Sequence, residues 1–316
     1  MKNLKIYSTV ASRYFADLIA DNLGLVVSEI DRRQFGDGEL YHRISIEDEK
    51  ELFGQTAIFV GSTYTDKDFD ELEKIGHTLA DLGIVKKIFI IPFFGYSTME
   101  KAVLPGEAVA AKINARRLSN IPDAGQGNVF LMLDLHVSGI LHYFEGNCLR
   151  YELYGQKILG QAIAELKLDK FISGTSDLGK TKWVEAFADQ FKTDIVFIRK
   201  SRHFSETKVL DVIGDVTDKV VIIYDDMTRS GGTLIKAAQS YLERGAKKIY
   251  AVLSHLALNN EGVITELENS PIAKILTTNS HPMSQNSLVL KSKKIIVKDI
   301  SPEFVKIIKN LLNKNI

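Results

Sequence analysis

The sequence predicts an α/β fold in which parallel sheets are covered by helices on both faces. Short apolar runs alternate with segments of helical periodicity along most of the chain. The pattern also occurs twice, because two predicted helices each end with Gly, pass through Lys-Lys and enter an apolar strand, at Lys86-Lys87 and at Lys247-Lys248. Alternation of this kind is typical of parallel sheets, and its repetition predicts two tandem domains.

Eight strands are predicted from short apolar runs that end at turn residues. They cover residues 4–9, 56–62, 87–94, 129–135, 170–175, 195–200, 220–226 and 248–255. Amphipathic helices are predicted over residues 70–83, 107–120, 151–167 and 233–246. We place the boundary near the helix that starts around Tyr151, which gives domains 1–150 and 151–316. An arrangement in which the C-terminal segment packs back on the first domain stays open.

Composition excludes several classes of protein. The chain has 316 residues, 45% hydrophobic and 25% charged, as expected of a globular protein with two domains. Lys+Arg and Asp+Glu balance at 40 each, so no overall field favours nucleic acid or a membrane surface. The single cysteine, Cys148, excludes an internal disulfide, and the first residues lack the features of a signal peptide. We expect a cytoplasmic protein that binds neither nucleic acid nor membrane.

The segment "VVIIYDDMTRSGGT", residues 220–233, is the strongest candidate site. Ligands of open α/β sheets bind beyond the carboxyl ends of strands, where Asp225 and Asp226 are expected. Two carboxylates there could bind vicinal hydroxyls or a metal ion. The turn that follows begins a helix, whose first N–H groups could bind a phosphate. The turn residues are Arg229, Ser230, Gly231, Gly232 and Thr233. The alternative is a plain helix cap with solvated acids.

This pattern resembles the phosphoribosyl diphosphate-binding motif of type I phosphoribosyltransferases. Other segments, in the same order along the chain, resemble ribose-phosphate diphosphokinases. They are "RRQFGDGELYHRI" (32–44), "IIPFFGY" (90–96), "LDLHVSGILHYFEG" (133–146), "TSDLGKTKWVEAFADQF" (175–191) and "IRKSRH" (198–203). The resemblance implies two tandem type I phosphoribosyltransferase-like domains, with parallel sheets flanked by helices.

The resemblance also implies an activity. Enzymes of this family transfer the β,γ-diphosphate of ATP to the anomeric hydroxyl of a ribose 5-phosphate and release AMP, with Mg²⁺ as cofactor. Asp225 and Asp226 match the residues that hold the ribose hydroxyls, and the 229–233 turn matches the loop that holds the 5-phosphate. The expected partners are therefore the small molecules ATP and a ribose 5-phosphate-containing acceptor.

Four further residues match catalytic positions of the family. His136 and Asp177 match the positions associated with magnesium, while Lys200 and Arg202 match the cations that stabilise the transition state. A spacing of two on a strand turns Lys200 and Arg202 toward one face. Each residue also has a structural alternative: a hydrogen-bonded core histidine, a helix cap at Asp177, and solvated charges at the strand end.

The resemblance extends in part to the segments that bind ATP in the family. Phe35, Asp37 and Glu39 match the segment that reaches ATP bound by a neighbouring subunit, which implies a homo-oligomer. The alternative is a mobile loop that is ordered by its own glycines. Thr98 and Met99 stand where ATP-contacting Arg and Gln are expected. Lys101 keeps a positive charge in this loop and is the remaining candidate there for ATP binding.

A second departure from the family lies in the phosphate loop, where Arg229 replaces the usual Asp. A guanidinium suits bidentate contact with phosphate, so the replacement predicts more negative charge on the acceptor. ADP-ribose offers the same anomeric hydroxyl with a diphosphate attached. In this respect the chain resembles divergent viral members of the family that make ADP-ribose diphosphate in NAD metabolism.

Three functions remain open from the sequence. The first is a diphosphokinase that acts on ribose 5-phosphate or on ADP-ribose. The second is a non-catalytic regulatory homologue, which the altered 96–112 loop would permit and the retained catalytic residues oppose. The third is a phosphoribosyltransferase, which would need one such domain with a base-binding hood rather than two domain-sized halves.

Overall fold

The computed structural model describes residues 3–123, 125–177, 181–203 and 206–313. The chain divides into two compact units, one formed by Met1–Tyr154 with Ile300–Ile316 and the other by Gly155–Asp299. Each unit has its own mainly parallel sheet. Over the described residues, no helix combines the length and the apolar character needed to cross a membrane.

The first unit is built on a five-stranded sheet in which all neighbouring strands run parallel, in the order β1-β4-β5-β6-β7. Two further strands form a separate antiparallel hairpin. The strands are β1 (Leu4–Ser8), β2 (Ile30–Gln34), β3 (Leu40–Ile44), β4 (Thr56–Val60), β5 (Lys86–Ile91), β6 (Asn128–Leu133) and β7 (Cys148–Leu153). The helices are α1 (Arg13–Leu23), α2 (Asp66–Asp81), α3 (Ala110–Ser119) and α9 (Ser301–Asn313), with 3-10 turns at Glu49–Leu52 and Ser138–Tyr143.

Aromatic side chains of neighbouring strands fill one side of this sheet. Phe59, Phe89 and Phe130 follow one another across β4, β5 and β6, and the last two stack with centroids 5.0 Å apart. The C-terminal helix α9 packs on α1, where Phe304 meets Phe15 edge to face at 5.5 Å. Burial of these rings accounts for the long apolar runs, which parallel strands covered on both faces require.

The second unit is built on a seven-stranded sheet in the order β10-β9-β8-β11-β12-β13-β14, in which only β9 and β10 pair antiparallel. Its strands are β8 (Ile172–Gly174), β9 (Ile195–His203), β10 (Glu206–Ile213), β11 (Val220–Thr228), β12 (Lys248–Leu256), β13 (Ile272–Thr278) and β14 (Ile295–Lys298). Its helices are α4 (Gln156–Glu165), α5 (Thr181–Phe191), α6 (Gly232–Glu243), α7 (Gly262–Asn269) and α8 (Ser287–Lys291), with a 3-10 turn at Pro282–Gln285.

The two sheets reverse their strand order at corresponding places. In the second unit, β8 has β9 on one side and β11 on the other. In the first unit, β1 pairs with β4 on one side, and an isolated bridge joins Ile6 to Val27 on the other. Each unit therefore has a switch point beside its first strand, which is where ligands of open α/β sheets bind.

The predicted fold class is confirmed, since both units are α/β with sheets of mainly parallel strands. One predicted element is wrong in part: the helix predicted over 151–167 begins only at Gln156, because residues 148–153 pair with β6 as an edge strand. Strands with apolar runs of three residues or fewer include six that are not predicted from the sequence. They are β2, β3, β7, β10, β13 and β14.

Candidate active site

The strongest candidate site lies at the switch point of the second unit, where the chain leaves β8 and β11. Asp225 and Asp226 lie near the end of β11, and both are buried, with 8% and 2% of their surface exposed. Ser176, just beyond β8, donates a hydrogen bond to Oδ2 of Asp225. The backbone N–H of Asp226 donates to Oδ1 of the same carboxylate at 2.9 Å. The first acid is thus held in a fixed orientation between two strand ends.

A glycine loop connects these acids to helix α6. Gly231 adopts φ +70°, and a Cβ there would come within 3.2 Å of Leu267 and Val263, so glycine is required at this position. No side chain caps the helix at Gly231. The N–H groups and the dipole of the first turn of a 12-residue helix therefore point to a position that suits an anion.

The side chains of this loop face solvent at its outer edge. Arg229, Ser230 and Thr233 are exposed. The backbone carbonyl of Arg229 accepts a hydrogen bond from the N–H of Asn259 at 3.0 Å, which ties the loop to the segment after β12. The backbone is therefore held while the guanidinium remains accessible to a ligand.

Tyr241 of α6 joins the helix to the end of β8. Its hydroxyl donates to the carbonyl of Thr175 at 2.9 Å and accepts from the N–H of Thr175 at 3.2 Å. The side chain is fully buried, and burial raises the pKa of Tyr241 above its usual range. Asp177 follows two residues later and is partly exposed. The helix that starts at the anion position thereby also fixes the strand end that leads to Asp177.

Lys200 and Arg202 lie in strand β9, which continues beyond the end of β8. Gly174, the last residue of β8, pairs with Val196, so that β9 extends several residues further. In the pairing with β10, Lys200 lies opposite Val209 and Arg202 lies opposite Thr207. The side chains of residues 200–210 are outside the part of the chain that the structure describes, so the contacts of these two cations stay a prediction.

A buried polar cluster lies at the ends of β12 and β13 in the same unit. Nδ1 of His255 lies 2.7 Å from the hydroxyl of Ser280, and Nδ1 of His281 accepts from the N–H of Met283 at 3.1 Å. His281 therefore carries its proton on Nε2 when it is neutral. Burial, with the positive fields of His255 and Arg229, lowers the pKa of His281 to about 3. His281 is thus neutral near pH 7 and is fixed by its contact with the backbone.

His136 lies in the first unit, in the segment that leaves β6. Asp134 begins this segment with φ +39°, which is unusual for a residue other than glycine. Glu152 of β7 accepts a hydrogen bond from the N–H of Leu135, the residue directly before His136. The predicted metal residues His136 and Asp177 thus belong to different units. Among the described residues, no group of three or more histidine, cysteine or acidic side chains forms a metal site.

The other predicted nucleotide residue near this segment, Lys101, is exposed and forms an ion pair of 3.0 Å with Glu100. Burial of Glu100 opposes ionisation, but the hydrogen bond from Lys101 and the charges of Lys101 and His136 hold the pKa of Glu100 below its usual value. Met99, in the place of an expected polar contact, is 41% exposed. A ligand phosphate would therefore compete with Glu100 for Lys101.

Phe35, Asp37 and Glu39 lie at the tip of the β2–β3 hairpin. The N–H of Phe35 donates to the carbonyl of Glu39 at 2.9 Å, and Oδ1 of Asp37 accepts from the N–H of Glu39 at 3.1 Å. Phe35 is 52% exposed although its ring touches Tyr41. The tip thus presents an aromatic ring and two carboxylates on an ordered turn.

The base of this hairpin is anchored by Arg32. Its Nε donates to Oε1 of the buried Glu71 at 2.7 Å, and its Nη2 donates to the carbonyl of Ser8 at 2.6 Å. The neighbouring Arg33 instead pairs with Asp31 at the surface. The hairpin is therefore tied to helix α2 and to the end of β1 by one side chain.

The contacts made by Ser176, Tyr241, Arg32 and Glu152 are not predicted from the sequence. A hydroxyl directly after a predicted strand is a signal for Ser176, because it follows the run 170–175. The other three depend on partners 17 to 66 residues away in the chain, which the pattern of the sequence does not indicate.

Comparisons with known proteins place these features in a family. The model for the N-terminal domain of ribose phosphate pyrophosphokinase matches residues 4–121, and the model for the phosphoribosyl synthetase-associated domain matches residues 186–316. The ribose-phosphate pyrophosphokinase of Campylobacter jejuni is 27% identical over 314 residues, covering 98% of this chain and 96% of the relative. That of Clostridium tetani is 28% identical over 318 residues, covering 98% and 94%.

The crystal structure of phosphoribosylpyrophosphate synthetase from Mycobacterium smegmatis has the same fold, with a TM-score of 0.87 at 23% identity over 99% of this chain and 100% of that chain. The two α/β units, with a strand-acid-loop-helix segment at a switch point, thus have phosphoribosyltransferase-like folds. The matches to both domains are more specific. The chain belongs to the ribose-phosphate pyrophosphokinase family and is a diphosphotransferase.

Proposed function

We propose that this enzyme transfers the β,γ-diphosphate of ATP to the anomeric hydroxyl of ribose 5-phosphate. The hydroxyl oxygen forms a bond to the β-phosphorus, the bond from that phosphorus to the oxygen shared with the α-phosphate breaks, and AMP leaves. The hydroxyl proton passes to solvent. The names of the relatives support this reaction, and the observation that carries it is the pair of buried acids joined to a glycine loop at the end of β11.

The acceptor is held by this strand end. The carboxylates of Asp225 and Asp226 accept hydrogen bonds from the ribose hydroxyls, and the N–H groups of the 229–233 loop bind the 5-phosphate. The contact from Ser176 supports the first role, because a carboxylate that is already oriented loses little freedom when the sugar binds. The anomeric carbon then lies at a fixed distance from the phosphate.

The transfer step uses cations. Lys200 and Arg202 neutralise negative charge as it develops on the transferred group. Magnesium bound with ATP would shield the phosphates, and His136 and Asp177 are each proposed as a magnesium ligand. Magnesium commonly keeps several waters and uses one or two side chains together with substrate phosphates. The carboxylate of Asp177 is a side chain of this kind, and waters and ATP phosphates would supply most of the remaining ligands.

The nucleotide base would be bound through the hairpin. Phe35 presents an exposed ring, and Asp37 and Glu39 present acceptors for an exocyclic amine. We assign this tip to the ATP of a neighbouring subunit, so that the active form is a homo-oligomer. Lys101 would exchange its partner Glu100 for a phosphate. The enzyme would act in the cytoplasm.

One observation favours a second acceptor, ADP-ribose. Arg229 is exposed in the loop that binds the acceptor phosphate, and its field adds to that of the helix end. A guanidinium there suits the extra charge of a diphosphate. The names of the bacterial relatives favour ribose 5-phosphate. ADP-ribose is therefore a second candidate acceptor, and its use depends on Arg229.

The test compares both acceptors. The purified protein is incubated with magnesium-ATP and either ribose 5-phosphate or ADP-ribose, and AMP and the second product are identified by mass. AMP release with neither acceptor would overturn the assigned acceptor class. With Arg229→Asp, kcat/KM for ADP-ribose should fall at least about tenfold relative to ribose 5-phosphate, near 1.4 kcal/mol. An unchanged ratio would exclude Arg229 from the choice of acceptor.

A further inference from the structure

Glu152 holds the segment that carries His136 from two sides. It lies in the edge strand β7, opposite Met132 of β6. Its Oε1 accepts a hydrogen bond from the N–H of Leu135 at 2.9 Å, and its side chain is also hydrogen bonded to Ser138. The contacts fall one residue before and two residues after His136. A single carboxylate thus connects both ends of a short loop to the sheet.

The loop needs this support because of its backbone. Asp134 has φ +39°, a conformation that costs free energy in residues other than glycine and persists when its surroundings hold it. The N–H of Asp134 donates to the carbonyl of Leu153 at 2.9 Å. The following 3-10 turn starts at Ser138, and no side chain caps it at Val137. Glu152 therefore supplies side-chain acceptors to a segment whose 3-10 turn has no side-chain cap at Val137.

Tyr154 keeps the carboxylate in place. Its hydroxyl donates to Oε2 of Glu152 at 3.2 Å, so that the two oxygens of Glu152 have different partners. Burial raises the pKa of Glu152, and hydrogen bonds from Ser138, Leu135 and Tyr154 oppose this rise. A chain of contacts thus runs from the edge of the sheet to the segment around His136.

We propose that Glu152 is a positioning residue, which fixes residues 134–138 so that His136 is presented in one orientation to the magnesium nucleotide. The proposal rests on the proposed function only for the last step, the contact between His136 and the nucleotide. That Glu152 restrains residues 134–138 follows from its hydrogen bonds alone. Glu152 touches neither substrate nor reacting atoms in this assignment.

The experiment uses the full chain with Glu152→Ala, Glu152→Gln and the control Glu145→Gln. Glu145 is a suitable control because it is an exposed acid near the same segment and pairs with Arg116 on the surface. Amide hydrogen exchange of residues 134–138 is measured without ligand. In a second measurement, kcat and the KM values for magnesium-ATP and ribose 5-phosphate are determined.

We expect exchange at 134–138 to rise about tenfold in Glu152→Ala, as for the loss of one or two hydrogen bonds. The KM for magnesium-ATP should rise by a similar factor, with the KM for ribose 5-phosphate unchanged. Glu152→Gln keeps a carbonyl acceptor and should recover most of both effects, and Glu145→Gln should match the wild type. If Glu152→Ala does not fold, Ser138→Ala removes one of the contacts and should give a smaller change in the same direction.

Unchanged exchange in Glu152→Ala would overturn the positioning role, whatever the activity. Faster exchange with a normal KM for magnesium-ATP would also overturn it, provided that His136→Ala impairs the enzyme. If His136→Ala has no effect on that KM, the role assigned to His136 fails. Amide exchange in Glu152→Ala then tests by itself whether Glu152 holds the loop. Faster exchange at residues 134–138 would support this role, and unchanged exchange would overturn it.

Discussion

Ser176, just after β8, donates a hydrogen bond to the carboxylate of Asp225 near the end of β11. Both side chains are buried, at 1% and 8% exposure. The contact joins the two strands that flank the switch point of the second unit. It orients one of the two acids before any ligand binds, and it ties the ends of β8 and β11 together.

Asp225→Asn should weaken the use of the acceptor. The amide keeps the size of the side chain but loses the charge that strengthens hydrogen bonds to sugar hydroxyls, a loss of about 1.5–3 kcal/mol. We therefore expect kcat/KM for ribose 5-phosphate to fall about 10–100-fold, with the KM for ATP little changed. Steady-state kinetics with each substrate varied will measure this. Ser176→Ala should show a smaller loss, and equal kinetics in Asp225→Asn and wild type would contradict the assignment.

Lys200→Ala and Arg202→Ala should each lower turnover about a hundredfold or more, because each cation neutralises charge that develops only in the transition state. Arg199 offers a matched control, since it is exposed and directly precedes Lys200, so that it lies on the opposite face of β9. Arg199→Ala should keep normal turnover. Single-turnover release of AMP measures the step directly, and normal rates in both variants would refute the roles of these cations.

His136→Ala should raise the magnesium concentration needed for half-maximal rate, and chelation of magnesium should abolish AMP release. The free energy of unfolding should change little, because His136 is partly exposed. Initial rates are measured against free magnesium at fixed ATP. His142, which is exposed in the following 3-10 turn, serves as the control. A magnesium titration that matches the wild type would assign His136 a structural role instead.

Arg32→Ala should lower the free energy of unfolding of the first unit by about 1–3 kcal/mol, because it leaves the buried carboxylate of Glu71 without its charged donor. Loosening of the hairpin should also raise the KM for ATP. Arg33→Ala is the control, because its pair with Asp31 is exposed and the effect should stay within about 0.5 kcal/mol. Denaturant unfolding measures the free energy of unfolding of both variants. Equal losses in Arg32→Ala and Arg33→Ala would contradict the anchoring role of Arg32.

Because of His281, the free energy of unfolding should decrease as the pH is lowered below about 6.5. The unfolded pKa is 6.5 and the folded pKa is about 3, so between these values the unfolded chain binds a proton that the folded chain does not. The contribution is constant above 6.5 and is lost at up to about 1.4 kcal/mol per pH unit below it. His281→Leu should flatten this dependence in denaturant unfolding at pH 7.5, 6.5 and 5.5. An equally steep fall in the variant would exclude His281 as the source.

The α/β class and the repetition follow from the sequence because both are local patterns. A strand covered on both faces needs a continuous apolar run, as in residues 220–224 and 88–91, and the helix that follows keeps its own period. Strand β7 lacks such a run, since Leu149 and Tyr151 are exposed on an edge strand. For this reason the sequence predicts a helix from Tyr151, which the pairing with β6 overrules.

The acceptor motif is likewise predictable, because Asp225, Asp226 and the 229–233 loop are contiguous, and strand, loop and helix form one local unit. Tertiary structure alone decides which groups support them. Ser176 lies 49 residues from Asp225, and Arg32 lies 39 residues from Glu71. Such pairs depend on strand order and on which helix covers which strand, and a hydrogen bond acts only between atoms that the completed fold brings within about 3 Å.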